Sequence, residues 1–395
     1  MNRRLIRPFL VALLLTALVV SMMGVTLGQE VPFTEAPISC VHLTLGDDPM
    51  SMVVTWRSNL ATGDAAVKAW PARLKAMPEN GKELIVVKPN QHTYKYVRET
   101  VNIYDATLKG LEPNTGYNYL ISCGGAASPV YSFQSPPSSA DTPFSFAVMG
   151  DCRGDYRLFG KLIKMAREAG ARFVVFTGDM TDSGTQPEWN LWFKGGAETL
   201  PYLPIMPLLG NHEMMTRCYF EQFLLPNPNA EEKNYYFTYG MAQFGVLYDG
   251  NEDQILQETI PWLKGKFAAS PLPWKFIALH KPPYASVPYI LETIRDGVAK
   301  AAEETGTAMV FSGHRHTYER TYPLIGGKPA ENGVVYVVSG GAGAPLDETA
   351  GTDYTAKSAV ANHFVMLNVT ADKVFGTVKD ASGNTIDEFA VIKRH

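Results

Sequence analysis

Beyond residue 143 the chain alternates short apolar runs with a stretch of helical spacing, and polar residues follow closely on each run. The runs are 144–148, 173–176, 276–279 and 308–311, and helical spacing lies between the first two, through Leu158, Leu162, Ile163 and Ala166. Strand–helix–strand alternation argues for an α/β core. In α/β sheets, ligands gather at the carboxyl ends of the strands. The residues that follow the runs are therefore the first place to look for chemistry.

Five blocks stand out: Gly150-Asp151-Cys152-Arg153, Gly178-Asp179-Met180-Thr181-Asp182, Gly210-Asn211-His212-Glu213, Leu279-His280 and Gly313-His314-Arg315-His316. A glycine ahead of the polar residue lets the backbone turn sharply and aim the next side chain. Oxygen donors and imidazoles are mixed through the set, which suits Zn, Mn or Fe better than Ca or Mg. Such a set fits phosphate ester hydrolysis, because the negative ester repels hydroxide. Two cations roughly 3.5–4 Å apart bind the ester oxygens, acidify a water and stabilise the charge that develops. A carboxylate shared by both cations holds that spacing, and Asp179 is the candidate.

The N-terminal half reads differently. From about residue 31 to 135 short β-branched segments such as 52–56 and 117–121 are punctuated by turn signals, Gly46-Asp47-Asp48-Pro49 among them. That pattern predicts a small all-β sandwich. Residues 136–143, with the Ser135-Pro136-Pro137-Ser138-Ser139 run at their start, form the expected linker. Expected domains are 1–29 as an export segment, 30–135 as the sandwich and 144–395 as the catalytic part. Arg3, Arg4 and Arg7 precede an uncharged apolar run, 9–27. A cleaved signal peptide is the preferred reading and a retained membrane anchor the alternative; either implies export to the periplasm, cell surface or medium. Any membrane contact would then go through that segment alone. Four cysteines suit such a compartment; pairing within each half, Cys40 with Cys123 and Cys152 with Cys218, is the expectation. A net charge of -4 with no basic stretch gives no sign of nucleic-acid binding.

The five blocks, in this order and spacing, resemble the signature of the calcineurin-like metallophosphoesterases. With the N-terminal β domain they resemble the purple acid phosphatase branch, from about residue 32 to the C-terminus. The resemblance implies a four-layer α/β/β/α sandwich behind a fibronectin III-like domain. It also implies that Asp151, Asp179 and His316 bind one metal and Asp179, Asn211, His280 and His314 the other, as Fe, Zn or Mn in a divalent or mixed-valence pair. Purple phosphatases place a tyrosine three residues after the shared aspartate, and its charge transfer to ferric iron gives their colour. Here that position is Asp182. Related serine/threonine phosphatases have an aspartate at this spacing that orients the histidine of the third block, so Asp182 is expected to pair with His212. His212 would then protonate the leaving alkoxide or stabilise its charge. Where other branches carry a histidine two residues after the first aspartate, this chain has Arg153, which cannot ligate but can bind phosphate bidentately. The first metal is thereby left short of a protein ligand, and water is preferred over Cys152 to fill the gap.

Each residue also has a plainer reading. Asp151 could cap a turn, His280 could be a satisfied loop histidine, Asp182 a surface carboxylate and Arg153 half of an ion pair. His363 reads as structural, Trp189, Trp192 and Phe193 as core, and Glu188 and Arg320 as solvated or ion-paired. The expected activity is hydrolysis of small phosphomonoesters by attack of metal-bound hydroxide, with a phosphodiesterase or nucleotidase using the same ligands as the alternative. A different class, a binding module with a vestigial metal domain, requires lost ligands, and all six ligand positions keep their residue types.

Overall fold

The computed structural model describes residues 36–97, 99–138, 142–229, 231–287 and 291–393. The export segment expected over 1–29 lies outside the described residues. Among those described, no helix is long and apolar enough to cross a membrane. The described residues all belong to one compact unit.

The N-terminal part consists of two antiparallel sheets. One orders its strands Ser39–Leu45, Met52–Ser58, Glu99–Leu108, Asn90–Tyr96; the other runs Ile85–Val87, Ala66–Pro71, Gly116–Cys123 and Ala126–Ala127, with Tyr131–Gln134 also pairing with Gly116–Cys123. Strand Met52–Ser58 is buried at every position, so it shows no two-residue alternation. Both of its faces are covered. Trp56 stacks on Tyr104 at 5.2 Å on one side, and on the other Arg57 Nη1 donates to Asn190 Oδ1 at 2.6 Å, across to the second part of the chain.

The second part is a four-layer sandwich. Its first sheet is ordered Ile205–Pro207, Val174–Phe176, Phe144–Met149, His363–Val369, Lys373–Asp380, Thr385–Ile392, with the first three strands parallel. The other is ordered Tyr235–Tyr239, Ala242–Val246, Trp274–Ala278, Met309–Ser312, Val335–Ser339, Tyr318–Thr321, Thr355–Ala359. The sheets meet through phenylalanines: the Phe146 ring lies 5.1 Å from Phe244, 5.6 Å from Phe276 and 5.8 Å from Phe311. Helices Tyr156–Glu168 and Gln186–Gly196 cover the first sheet, where Phe159 meets Phe176 edge-on and stacks on Trp192. Helices Ile260–Ala268 and Glu292–Glu304 cover the second, through Leu263, Phe267 and Val298 against Ile277 and Val310. Continuous apolar runs in the central strands and period-3.6 stripes on the helices account for this burial, since each sheet face and helix stripe must find an apolar partner.

The expected cysteine pairing is not met, because all four thiols are free. Cys123 Sγ donates to Ser58 Oγ at 3.6 Å and Cys152 Sγ to the Met180 carbonyl at 3.3 Å. Each of these thiols has a separate oxygen as its partner. The plainer readings of Trp189, Trp192 and Phe193 hold, as all three are buried. His363 is buried between the Ala361 carbonyl and Ser339 Oγ. Arg320 pairs with Asp387 at 2.8 Å, whereas Glu188 caps the helix that begins at Gln186 in place of a salt bridge.

Candidate metal centre

Three candidate ligands sit in a backbone conformation that side chains rarely adopt: φ is +60° at Asp151, +54° at Asp179 and +66° at His314. Each such residue costs about 1–3 kcal/mol and persists only where its surroundings enforce it. Here they do. Asp151 N donates to the Gly178 carbonyl at 2.9 Å and Cys152 N to the Asp179 carbonyl at 3.1 Å, locking the first two loops together. Both oxygens of Asp151 accept His314 N–H, at 2.9 and 3.0 Å, and Asp179 Oδ1 accepts His212 N–H at 3.0 Å. Gly210 leaves the room this needs, because a Cβ there would overlap the Asp179 carboxylate and its backbone nitrogen.

Glu213 is the residue whose role could not be read from its block. It is fully buried and accepts from the amides of Asp179 at 3.0 Å, Met180 at 2.7 Å, Thr181 at 3.2 Å and Gly210 at 2.7 Å. Burial and the neighbouring Asp179 push its carboxyl up to about 7, against the pull of the amides. One side chain thus holds the Asp179 loop against the Asn211 loop. Two further carboxylates hold the rims: Asp249 accepts Lys281 N–H at 2.5 Å, and Asp347 accepts His316 N–H at 2.9 Å. No local motif announces either, since each is defined by a partner about thirty residues away in sequence.

The six expected ligands converge into two groups that share Asp179. Asp179, His280 and His314 offer ligand atoms all within 4.8 Å of one another, and so do Asp151, Asp179 and His316. Asn211 joins the first group, its Oδ1 lying 3.0 Å from His280 Nε2 and 2.9 Å from His314 Nδ1. Backbone carbonyls fix the imidazoles from behind. His280 Nδ1 faces the Thr177 carbonyl at 2.8 Å and His316 Nδ1 the Pro345 carbonyl at 2.7 Å, which leaves each Nε2 directed inward.

The donor chemistry fits a cation. Around His280 Nε2 stand Asn211 Oδ1 at 3.0 Å, His314 Nδ1 at 3.1 Å and Asp179 Oδ1 at 3.3 Å. Three acceptors compete for one N–H, whereas a cation at their centre would satisfy all four atoms at once. The charges follow. Burial opposes a charge on His280, yet Asp179 and Asp151 outweigh it and raise the ring to about 10. Burial acts on Asp179 as well, but His280 holds that carboxyl below the usual range. Burial, helped by the charge on His280, pushes His314 down to about 3. Burial also lowers His316 and raises Asp151 well above the carboxylate range.

Two expectations need adjustment. His212 Nδ1 is held by the backbone carbonyl of Asp182 at 2.7 Å, while the Asp182 carboxylate lies 3.7 Å away. That carboxylate binds Arg153 Nη1 at 2.9 Å, because the guanidinium is the stronger charged partner within reach. Asp182 therefore orients His212 through its main chain, and His212 Nε2 points to Asp179 Oδ2 at 3.9 Å. Arg153 has its ion pair and also borders the centre, with Nε 3.8 Å from Asp179 Oδ2. That Nε is buried with no hydrogen-bond partner. Cys152 turns away to Met180 and offers nothing to a cation.

Comparison with known proteins follows the same lines. Residues 144–318 match the calcineurin-like phosphoesterase family and residues 38–135 the purple acid phosphatase N-terminal domain. A phosphoenolpyruvate phosphatase of Allium cepa is 23% identical over 341 residues, covering 80% of this chain and 68% of its own. An Fe(3+)-Zn(2+) purple acid phosphatase 12 of Arabidopsis thaliana is 23% identical over 308 residues, covering 71% and 64%. In fold, the chain is similar to a purple acid phosphatase from yellow lupin (Lupinus luteus) seeds, with a TM-score of 0.79, 20% identity, and coverage of 90% of this chain and 74% of that one.

Proposed function

A chain that joins a purple acid phosphatase N-terminal domain to a calcineurin-like phosphoesterase domain is a metal-dependent phosphoesterase, and from that premise we propose that it hydrolyses small phosphomonoesters outside the cytoplasm. The observation that carries this reading is the convergence of Asp151, Asp179, Asn211, His280, His314 and His316 on two groups sharing one carboxylate. Two bound cations, Fe, Zn or Mn, would acidify a water and neutralise the ester's charge.

The chain's own groups supply the rest. Asp179 holds the two sites at a fixed separation. Arg153, whose buried Nε lies beside Asp179 without a hydrogen-bond partner, anchors a phosphoryl oxygen. His212 has its Nδ1 held by the Asp182 carbonyl and its Nε2 facing the centre, so it delivers a proton to, or stabilises, the departing alkoxide. Export rests on the basic and apolar start of the sequence.

Metal analysis of protein purified without added metal, together with p-nitrophenyl phosphate and its bis ester as substrates, tests the reading. Two metal ions per chain and faster turnover of the monoester are expected. Faster turnover of the bis ester would favour a phosphodiesterase instead, and a chain that took up no metal would end the proposal.

A further inference from the structure

The loop carrying His212 is strained at its far end. Met214 and Met215 have φ of +49° and +55°, two consecutive left-handed residues without glycine between His212 and helix Arg217–Gln222. Such a pair persists only where the surrounding structure enforces it. The upstream end is held by the Asp179 carboxylate and by Glu213. Downstream, the short helix ends at Gln222, and the next strand begins only at Tyr235.

What fixes that end comes from the N-terminal sheet. The closing carbonyls of a helix lack partners within it and must find them elsewhere. Here the buried, neutral His42 ring stands between the Gln222 carbonyl at Nε2 and the Cys40 carbonyl at Nδ1, both at 2.8 Å, and grips the helix with its one N–H on Nε2. Thr44 Oγ1 donates to the Leu224 carbonyl at 2.8 Å, and His92 Nε2 faces the Glu221 carbonyl at 3.1 Å. The Gln222 side chain accepts from Arg57 of the same sheet. His42 is itself packed between Phe193 at 4.9 Å and Phe223 at 5.2 Å. Three carbonyls at one helix end are thus engaged by three side chains about 130 to 180 residues earlier in the sequence.

We propose that the N-terminal β domain is the far clamp of the His212 loop, with His42 and Thr44 as positioning residues that fix helix Arg217–Gln222 and through it the leaving-group side of the centre. This rests on the role given to His212 above. Loosening the clamp lets the loop relax its strain and moves His212, while Asp151, Asp179, His280, His314 and His316 keep their own anchors on other segments.

The test uses the full chain carrying Thr44→Val, His42→Leu, the conservative His42→Gln and, as reference, His212→Ala. Metal per chain is measured with turnover of p-nitrophenyl phosphate, whose leaving group needs no proton, and of glycerol phosphate, whose alkoxide does. Thr44→Val and His42→Leu are expected to keep wild-type metal content and to slow the alkyl ester about tenfold more than the aryl ester, in the direction of His212→Ala. His42→Gln, which retains a donor, is expected to recover most of that loss. If His42→Leu does not fold, Thr44→Val decides alone. Equal slowing of both esters, or no change while His212→Ala separates them, overturns the clamp and leaves the phosphoesterase reading standing. A His212→Ala enzyme with the wild-type ratio overturns the clamp together with the role of His212.

Discussion

Exchanging the shared carboxylate for an amide, Asp179→Asn, separates what this group does for the fold from what it does for a cation. In metal-free protein Asp179 Oδ1 lies 3.3 Å from His280 Nε2, and both side chains are buried. Removing one partner of a buried pair costs about 3–5 kcal/mol, because the remaining charge is left uncompensated. The histidine gives a second route to the magnitude. Burial opposes its charge, yet Asp179 is the largest contributor to a rise from 6.5 to about 10. At about 1.36 kcal/mol per pH unit, that rise corresponds to about 5 kcal/mol. The folded chain holds this proton more tightly than the unfolded one, so the contribution is complete below pH 6.5 and is lost as pH rises through about 10. On the acid side, the lowered carboxyl of Asp179 contributes above pH 3.8, and that share is lost as pH falls through its folded value. Chelator-treated wild type should therefore lose stability steadily from pH 6.5 to 10. Asp179→Asn should start about 3–5 kcal/mol lower at pH 6 and show little further slope. Urea unfolding followed by tryptophan fluorescence, with an unchanged m-value, reads both quantities. A mutant that kept the wild-type midpoint, or the wild-type slope over that range, would refute the reasoning.

Other consequences are as direct. Binding of a cation by metal-free protein at pH 8 should release about one proton from His280, visible in calorimetric titrations in buffers of different ionisation enthalpy; uptake without release would contradict the charge placed on that ring. Arg153→Ala should raise KM for p-nitrophenyl phosphate about tenfold with kcat little changed, and a fall in kcat at constant KM would remove Arg153 from ground-state binding. Gly210→Ala sets a methyl against the Asp179 carboxylate and main chain, so a loss of about 1–3 kcal/mol and lower metal content are expected. Gly265→Ala, in a helix with open space at its Cβ, is the control that should leave both unchanged or slightly better. With Asp182 where a ligating phenolate would stand, the purified protein should be colourless; an intense violet band lost on reduction would contradict this.

The sequence alone determined the kind of chemistry and the layers that present it. Apolar runs and helical periodicity specify strands such as Phe144–Met149 and helices such as Tyr156–Glu168, and a few residues beyond the strand ends stand donors whose chemistry depends only on their own side chains. That is why Asp151, Asp179, Asn211, His280, His314 and His316 could be named before any contact was known. Only the tertiary structure decided which partner each polar group takes. Asp182 has both Arg153 and His212 within reach, and the choice between them depends on distances set by two loops 30 residues apart. The free thiols, the four amides gathered by Glu213 and the grip of His42 on a carbonyl 180 residues away share the same cause. A hydrogen bond is decided within a few tenths of an ångström between chain segments that the local sequence does not bring together, whereas a strand or a ligand type is written in a handful of neighbouring residues.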